Sequence, residues 1–162
     1  MSQLIATFFY VGYLKPAPGT WGSLAALPVF WALYVLAGPY LALAFIVLTF
    51  GAGIWATKRM TAGSDNHDPS EIVIDEVVGQ GIALFPVLYG ASYAGANVLA
   101  LYPGWIAAFV LFRLFDILKP GPIGWADRRG DAMGVMLDDV IAGVFAALGV
   151  ILLAVLYHVV WL

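Results

Sequence analysis

Two pairs of neighbouring carboxylates mark the chain: Asp75 and Glu76 in "IVIDEVVGQ" (Ile72–Gln80), and Asp138 and Asp139 in "MGVMLDDVIAG" (Met133–Gly143). Adjacent carboxylates repel each other unless a cation sits beside them, and hard divalent ions such as Mg²⁺ prefer carboxylate oxygen. A third stretch, "FRLFDILKP" (Phe112–Pro120), sets Arg113, Asp116 and Lys119 at i, i+3 and i+6, so successive charges share a helix face. A fourth, "KPAPGTWGS" (Lys15–Ser23), leads from a Pro-stiffened run into Gly19, Thr20 and Ser23. Thr20 or Ser23 can cap the helix that follows, and free N–H groups at a helix start beside Lys15 suit a phosphate. Each motif also has a plainer use. Acids favour the first turns of helices, cations the last, and Pro-Gly turns commonly open a helix.

The elements that must carry these residues follow from where charge is missing. The chain has 162 residues, 63% apolar and 10% charged, which is too oily for a soluble globule and makes the bilayer the expected solvent. Nothing charged lies between Lys15 and Lys58, from Val77 to Phe112, or from Val140 to Leu162. A helix needs ~20 residues to span the hydrocarbon core. The first silent stretch holds two spans, with "AGPY" (Ala37–Tyr40) as the turn between them. "DPSE" reads as a helix start, with Asp68 as N-cap, Pro69 in the first helical position and Glu71 closing a capping box. That predicts a span from Pro69 to about Tyr89, a turn at "GASYAG" (Gly90–Gly95), and a return helix to Lys119 interrupted at Pro103–Gly104. Asp138 and Asp139 open the last span.

The expectation is one domain, an all-α polytopic membrane bundle of about five spans, with every charged side chain on one face. The Lys and Arg residues make that face cytoplasmic by the positive-inside rule. Tyr34, Tyr40, Tyr89, Tyr93, Tyr157 and Trp161 form an aromatic belt at the other face. The stretch up to Leu14 is too short to span and lies in the interface or re-enters. It has no positive n-region and no clean cleavage site, so it does not read as a signal peptide.

Composition also excludes. With no cysteine there is no disulfide framework, thiolate nucleophile or Cys-ligated zinc site. A net charge of -3 without a basic run argues against nucleic acid. His158 falls about a bilayer's thickness from Asp139 and shares no site with it. His67 lies in the first polar loop, where a lone histidine is ordinarily just solvated. Gly79, and the small residues Ala142, Gly143, Ala146, Ala147 and Gly149, read as packing faces.

Taken together, three carboxylate groupings arrive from three helices at one membrane depth, beside basic residues and a Gly-containing helix start. Acidic ligands, cations and anion-friendly N–H groups describe a site for a metal ion and a phosphate. Its depth suits a lipid head group at the interface.

"KPAPGTWGSLAALP", "IDEVVGQ", "FRLFDILKPGPI" and "MGVMLDDVIAG" occur in the order, and with the residues, of the bacterial phosphatidylglycerophosphatase A family, which the chain resembles from roughly Lys15 to Gly143. One departure is Asp131–Ala132, where that family's pattern has a Gly-Gly pair; it adds a carboxylate of unassigned role. The resemblance implies Mg²⁺-dependent removal of the terminal phosphate from phosphatidylglycerophosphate in the bacterial inner membrane. It makes Asp75, Glu76, Asp138 and Asp139 the metal-binding set and Asp116, Asp139, Arg113 and Lys119 the catalytic set. Lys15, Gly19, Thr20 and Ser23 become the substrate-binding set. Attack by an activated water and an aspartyl-phosphate route through Asp116 or Asp139 are both open.

Rival readings demand features the chain lacks. A CDP-alcohol transferase needs a longer, regularly spaced Asp-rich signature. Histidine-based lipid phosphatases need two well-placed histidines. A small transporter or divalent-cation binding protein, the non-enzyme alternative, places ionisable groups near the bilayer centre, where these spans are uncharged.

Overall fold

The computed structural model describes all residues except Asp65 and Leu162, and nothing of the Trp161 side chain. Asp65 of the first polar loop and the Trp161 member of the aromatic belt therefore lie outside what is described. The described chain is 80% helix with no strands, and five helices are long and apolar enough to cross a membrane. Helices α2 (Pro18–Ala37) and α3 (Pro39–Met60) are joined by Gly38 alone, whose φ of 74° makes the reversal that "AGPY" announced. Helix α4 (Ile74–Ala94) ends at Gly95, in the left-handed conformation (φ 60°) that favours glycine after a helix. A 3₁₀ turn (Val98–Leu101) leads into α5 (Tyr102–Leu118), so the return span is interrupted just before Pro103. After a short α6 (Pro122–Asp127) the chain closes with α7 (Ala132–Trp161). Ahead of the spans lie α1 (Ser2–Ala6) and a 3₁₀ turn (Val11–Tyr13), both too short to cross.

Helix α4 is the axis of the bundle. In its apolar window 56% of residues are buried, against 17% to 33% in the other spans, and it packs on α2, α3, α5 and α7. With so few polar groups, close packing rather than hydrophobic transfer must hold helices together in lipid, and small residues permit it. A Cβ added to Gly143 of α7 would sit 2.5 Å from the Gly79 carbonyl oxygen of α4. One added to Gly79 would strike the Phe112 ring and lie 2.7 Å from the Asp139 carbonyl oxygen. The α4 and α7 backbones touch there, one turn from both acidic pairs.

Several expected boundaries move. Helix α4 begins at Ile74 rather than Pro69, so Asp68 and Glu71 do not cap it; its N-cap is Val73 and makes no side-chain capping bond. The Ile72 N–H closes a turn on the Pro69 carbonyl (2.9 Å), and the Val73 N–H donates to the Ala6 carbonyl of the N-terminal segment (2.9 Å). Ile72 and Val73 are both buried. Their apolar side chains commit the segment to the core in a non-helical form before the helix can start. The helix then runs through Gly90 to Ala94, past the expected turn. Thr20 and Ser23 lie inside α2, whose N-cap is Ala17 without a side-chain cap.

Asp138 and Asp139 stand two turns inside α7 rather than opening it. The residue that does open it is Asp131, whose Oδ1 accepts the Gly134 N–H at 2.7 Å in N-cap geometry and whose carboxylate pairs with Arg129 (3.2 Å). Those hydrogen bonds, the one to Arg129 first, hold its carboxyl below the usual range. The carboxylate that departs from the family's Gly-Gly pattern is a helix cap. Helix α6 was not foreseen at all.

Gly143→Ala tests the α4–α7 contact. A Cβ cannot stand 2.5 Å from the Gly79 carbonyl oxygen, so the two helices must part at the level of the acidic pairs, and both the thermal midpoint in detergent and the activity fall. An unchanged midpoint would show that the contact is not limiting.

Candidate active site

At one end of the bundle a cavity of about 230 Å³ is lined by five separate parts of the chain. The start of α2 gives Ala17, Pro18 and Gly19; the α3–α4 connection gives Asp68, Ser70 and Ile72; α4 gives Asp75 and Glu76. Helix α5 and its end give Arg113, Asp116 and Lys119, and α7 gives Asp138 and Asp139. Six carboxylates thus face two cations.

Asp75, Glu76 and Asp139 each direct a carboxylate oxygen into one group, all within 4.8 Å of one another. Asp75 and Asp139 are buried, and Glu76 Oε2 is buried with no hydrogen-bond partner in the protein. Two adjacent residues of α4 meet one of α7 because Gly79 and Gly143 let those helices touch. Among the described residues, these three side chains are grouped closely enough that they could hold a cation.

The cations are arranged differently. Arg113 reaches across from α5, with NH1 2.5 Å from Asp116 Oδ2 and 3.7 Å from Glu76 Oε1. Nε makes no hydrogen bond to the protein, so a buried donor of this guanidinium remains free. Gly19 makes room for the guanidinium: a Cβ there would strike the Glu76 carboxylate and lie 3.1 Å from Arg113 NH1. The first N–H groups of α2 open beside this pair, where no intrahelical acceptor exists.

Lys119 ends α5 in a left-handed conformation (φ 44°, ψ 50°), uncommon for a residue with a side chain. That bend turns its ammonium onto Asp138 of α7 (2.7 Å) and onto Asp127 of α6. Burial alone would lower the Lys119 pKa, but the hydrogen bonds to Asp127 and Asp138 outweigh it and raise it, so the group stays charged. Lys119 therefore ties three helices together. Asp138 lines the cavity as its partner rather than as a member of the three-carboxylate group.

The structure brings Gly19, Asp75, Glu76, Arg113, Asp116, Lys119, Asp138 and Asp139 to one cavity, but not the rest of the substrate-binding set. Lys15 is exposed and off the cavity wall. Thr20 is half-buried and does not line it. Ser23 is fully buried and donates to the Gly19 carbonyl within its own helix (2.9 Å). A helix start positions only its first turn, so a motif read as one unit splits between site and core.

Sequence reasoning missed Asp68 and Ser70. The signal was in "DPSE", but it was assigned to capping. At the cavity rim Asp68 has its pKa raised by partial burial, with Asp127 and Asp116 adding to the effect and Lys119 opposing it. His67 is exposed and sits by Gly130, off the wall. His158, at the opposite end, is 2.8 Å from the Ala154 carbonyl.

Fold and site define an all-helical integral-membrane protein with a carboxylate-lined cavity at one end of its spans. The profile of the family described as Phosphatidylglycerophosphatase A matches residues 4–154. A Phosphatidylglycerophosphatase A from Haemophilus influenzae is 40% identical over 148 residues, covering 90% of this chain and 84% of that protein. One of the same name from Escherichia coli is 36% identical over 147 residues, covering 90% and 78%. A relative from Bacteroides thetaiotaomicron, provisionally named a phosphatidylinositol-3-phosphatase, is 40% identical over 148 residues, covering 88% and 87%. No solved structure matches the chain significantly. The chain belongs to the phosphatidylglycerophosphatase A family, a family of membrane phosphatases.

Lys119→Met tests the three-helix tie. It strands the buried Asp138 carboxylate and costs roughly 2 kcal/mol of stability, between the exposed and buried limits for an ion pair. Asp127→Ala, at the exposed side of the same ammonium, costs under about 1 kcal/mol. Adding Asp138→Leu to Lys119→Met recovers part of the loss. Denaturation in detergent measures all three, and a Lys119→Met protein as stable as the native one would contradict the tie.

Proposed function

We propose that this protein hydrolyses the terminal phosphomonoester of phosphatidylglycerophosphate to phosphatidylglycerol and phosphate, with Mg²⁺ held by Asp75, Glu76 and Asp139. Family membership supports the reaction. The observation that carries the metal is the meeting of three carboxylate oxygens within 4.8 Å, one side chain with a buried oxygen left unpaired. A phosphate would be repelled by six carboxylates against two cations, so the site fits its anionic substrate only with added positive charge. The donor set is all hard oxygen, which suits Mg²⁺. Bound there, the ion would neutralise phosphate oxygens and acidify a water.

The chain's own groups do the rest. The Arg113 guanidinium and the first N–H groups of α2 lie on adjoining walls of the cavity and hold the phosphate oxygens. Gly19 lets the substrate approach that backbone closely. The Arg113 pair fixes the Asp116 carboxylate beside the phosphate and outside the three-oxygen group. From there it takes a proton from the attacking water, or attacks phosphorus itself. In the first route the water oxygen bonds to phosphorus as the bond to the bridging glycerol oxygen breaks, and that oxygen leaves with the proton Asp116 took. In the second the same bond breaks as an aspartyl phosphate forms, the glycerol oxygen takes a proton from water, and a second water then cleaves the aspartyl phosphate to release phosphate and restore the carboxylate. Lys119 holds Asp138 and Asp127 in the wall.

Purified protein should release phosphate from phosphatidylglycerophosphate, stop when Mg²⁺ is chelated, and recover when it is restored. Glu76→Gln and Asp139→Asn should each lower kcat by at least about 100-fold while the protein still inserts. Near-normal turnover in both variants would remove them as ligands. Phosphatidylinositol 3-phosphate belongs in the same assay, because the relative from Bacteroides thetaiotaomicron carries that substrate in its name.

The site is proposed to face the cytoplasm. All seven Lys and Arg residues lie toward the site end of the bundle, the distribution expected of an inner face. Because the chain has no cysteine, single cysteines report orientation cleanly. Arg128→Cys should react with an impermeant thiol reagent only after cells are opened, and Tyr93→Cys in intact cells. The reverse pattern would invert the topology.

A further inference from the structure

Gln80 is a costly side chain that nothing above explains. It is fully buried on α4, and both its Nε2 and its Oε1 lack a hydrogen-bond partner in the protein. A neutral amide in that position forfeits hydrogen bonds at both ends, inside a bundle where lipid and apolar side chains offer no substitute. Leucine or methionine would fill the same space without that penalty.

Its place on the helix says what it faces. Gln80 lies four residues after Glu76, hence on the same face and ~6 Å deeper at 1.5 Å per residue. Glu76 points at Gly19 of α2 and Arg113 of α5. Gly79 packs on Phe112 of α5 and on α7, and Gly81 packs on Phe30 of α2. Gln80 falls between those two directions, under Glu76 at the seam of α2 and α5. The nearer group on this face, Glu76, also has a buried oxygen without a partner, Oε2. One α-helical face thus carries an unpaired amide directly beneath an unpaired carboxylate oxygen.

We propose that Gln80 is a positioning residue for Glu76, its amide donating across one ordered water to the Glu76 carboxylate and fixing it for the cation and phosphate. The inference rests on the function proposed above. Partners of this kind that orient a ligating carboxylate typically change affinity or activity by roughly 10–100-fold when removed. A residue kept for packing alone would behave otherwise, because removing an unpaired polar group relieves a cost.

Gln80→Met and Gln80→Leu are the test, read by thermal midpoint in detergent, by the midpoint shift that Mg²⁺ produces, and by kcat and KM. The expected result is a midpoint without Mg²⁺ that is equal to or above the native one. Alongside it, the Mg²⁺ concentration giving half the shift rises and kcat falls about 10-fold or more, with KM little changed. A midpoint that drops, with native turnover per folded molecule, would show a packing role and overturn the proposal. So would native behaviour in every measurement. If the native protein releases no phosphate from any lipid, the proposed reaction fails. The Mg²⁺-induced midpoint shift then still decides for or against Gln80 on its own.

Discussion

The contact on which the site depends is the approach of two backbones, α4 at Gly79 and α7 at Gly143. Neither position bears a side chain, so the helices close to a distance that any other residue would forbid. That closeness sets Asp75 and Glu76 of one helix against Asp139 of the other. A larger separation would leave two acidic pairs on facing helix surfaces, each solvated by itself. The packing that holds the bundle in lipid and the geometry that gathers charge are therefore one interaction.

Gathering like charge has to be balanced, and the balance is uneven. Lys119 answers Asp138 and Asp127, and Arg113 answers Asp116 at close range. Glu76 gets only a 3.7 Å approach from Arg113, and Asp75 and Asp139 have no cation among the described ion pairs. Neutralisation stops where the three oxygens converge. A structure selected for stability alone would have replaced these buried acids, since buried charges are kept only where paired or metal-bound. The deficit is what the proposed cation would fill.

Much of this was legible in the sequence. The spans could be read because absence of charge over a long stretch is a strong signal and the bilayer sets its length. That the charges share one end followed from counting crossings. Depth along a helix was less legible. Asp138 and Asp139 look like the start of a span because the charge ends there, yet α7 begins at Ala132, capped by Asp131. "DPSE" satisfies every local rule for a helix start, and tertiary structure overrules it: buried Ile72 and Val73, with the Val73 N–H on Ala6, hold the chain out of helical form until Ile74. No sequence rule links Ala6 to Val73 across so many residues. Ser23 was misread for the opposite reason, a sound local motif whose second half rotates into the core one turn later.

The size of the cavity limits what can enter it. At about 230 Å³ it lies below the roughly 300–1,000 Å³ of pockets that enclose whole drug-sized ligands. A phospholipid with its acyl chains cannot fit, but a phosphorylated head group can. The tails must then stay in the bilayer while the phosphate is drawn among the carboxylates, and this requires a cavity that opens at the membrane boundary. The site is built from helix ends, the start of α2 and the end of α5, and from acids only one or two turns into α4 and α7, which is where the proposed reaction would need it. Charge near an interface costs far less than charge at mid-bilayer. Under that proposal the same placement would serve stability and give a lipid phosphate access without leaving its leaflet.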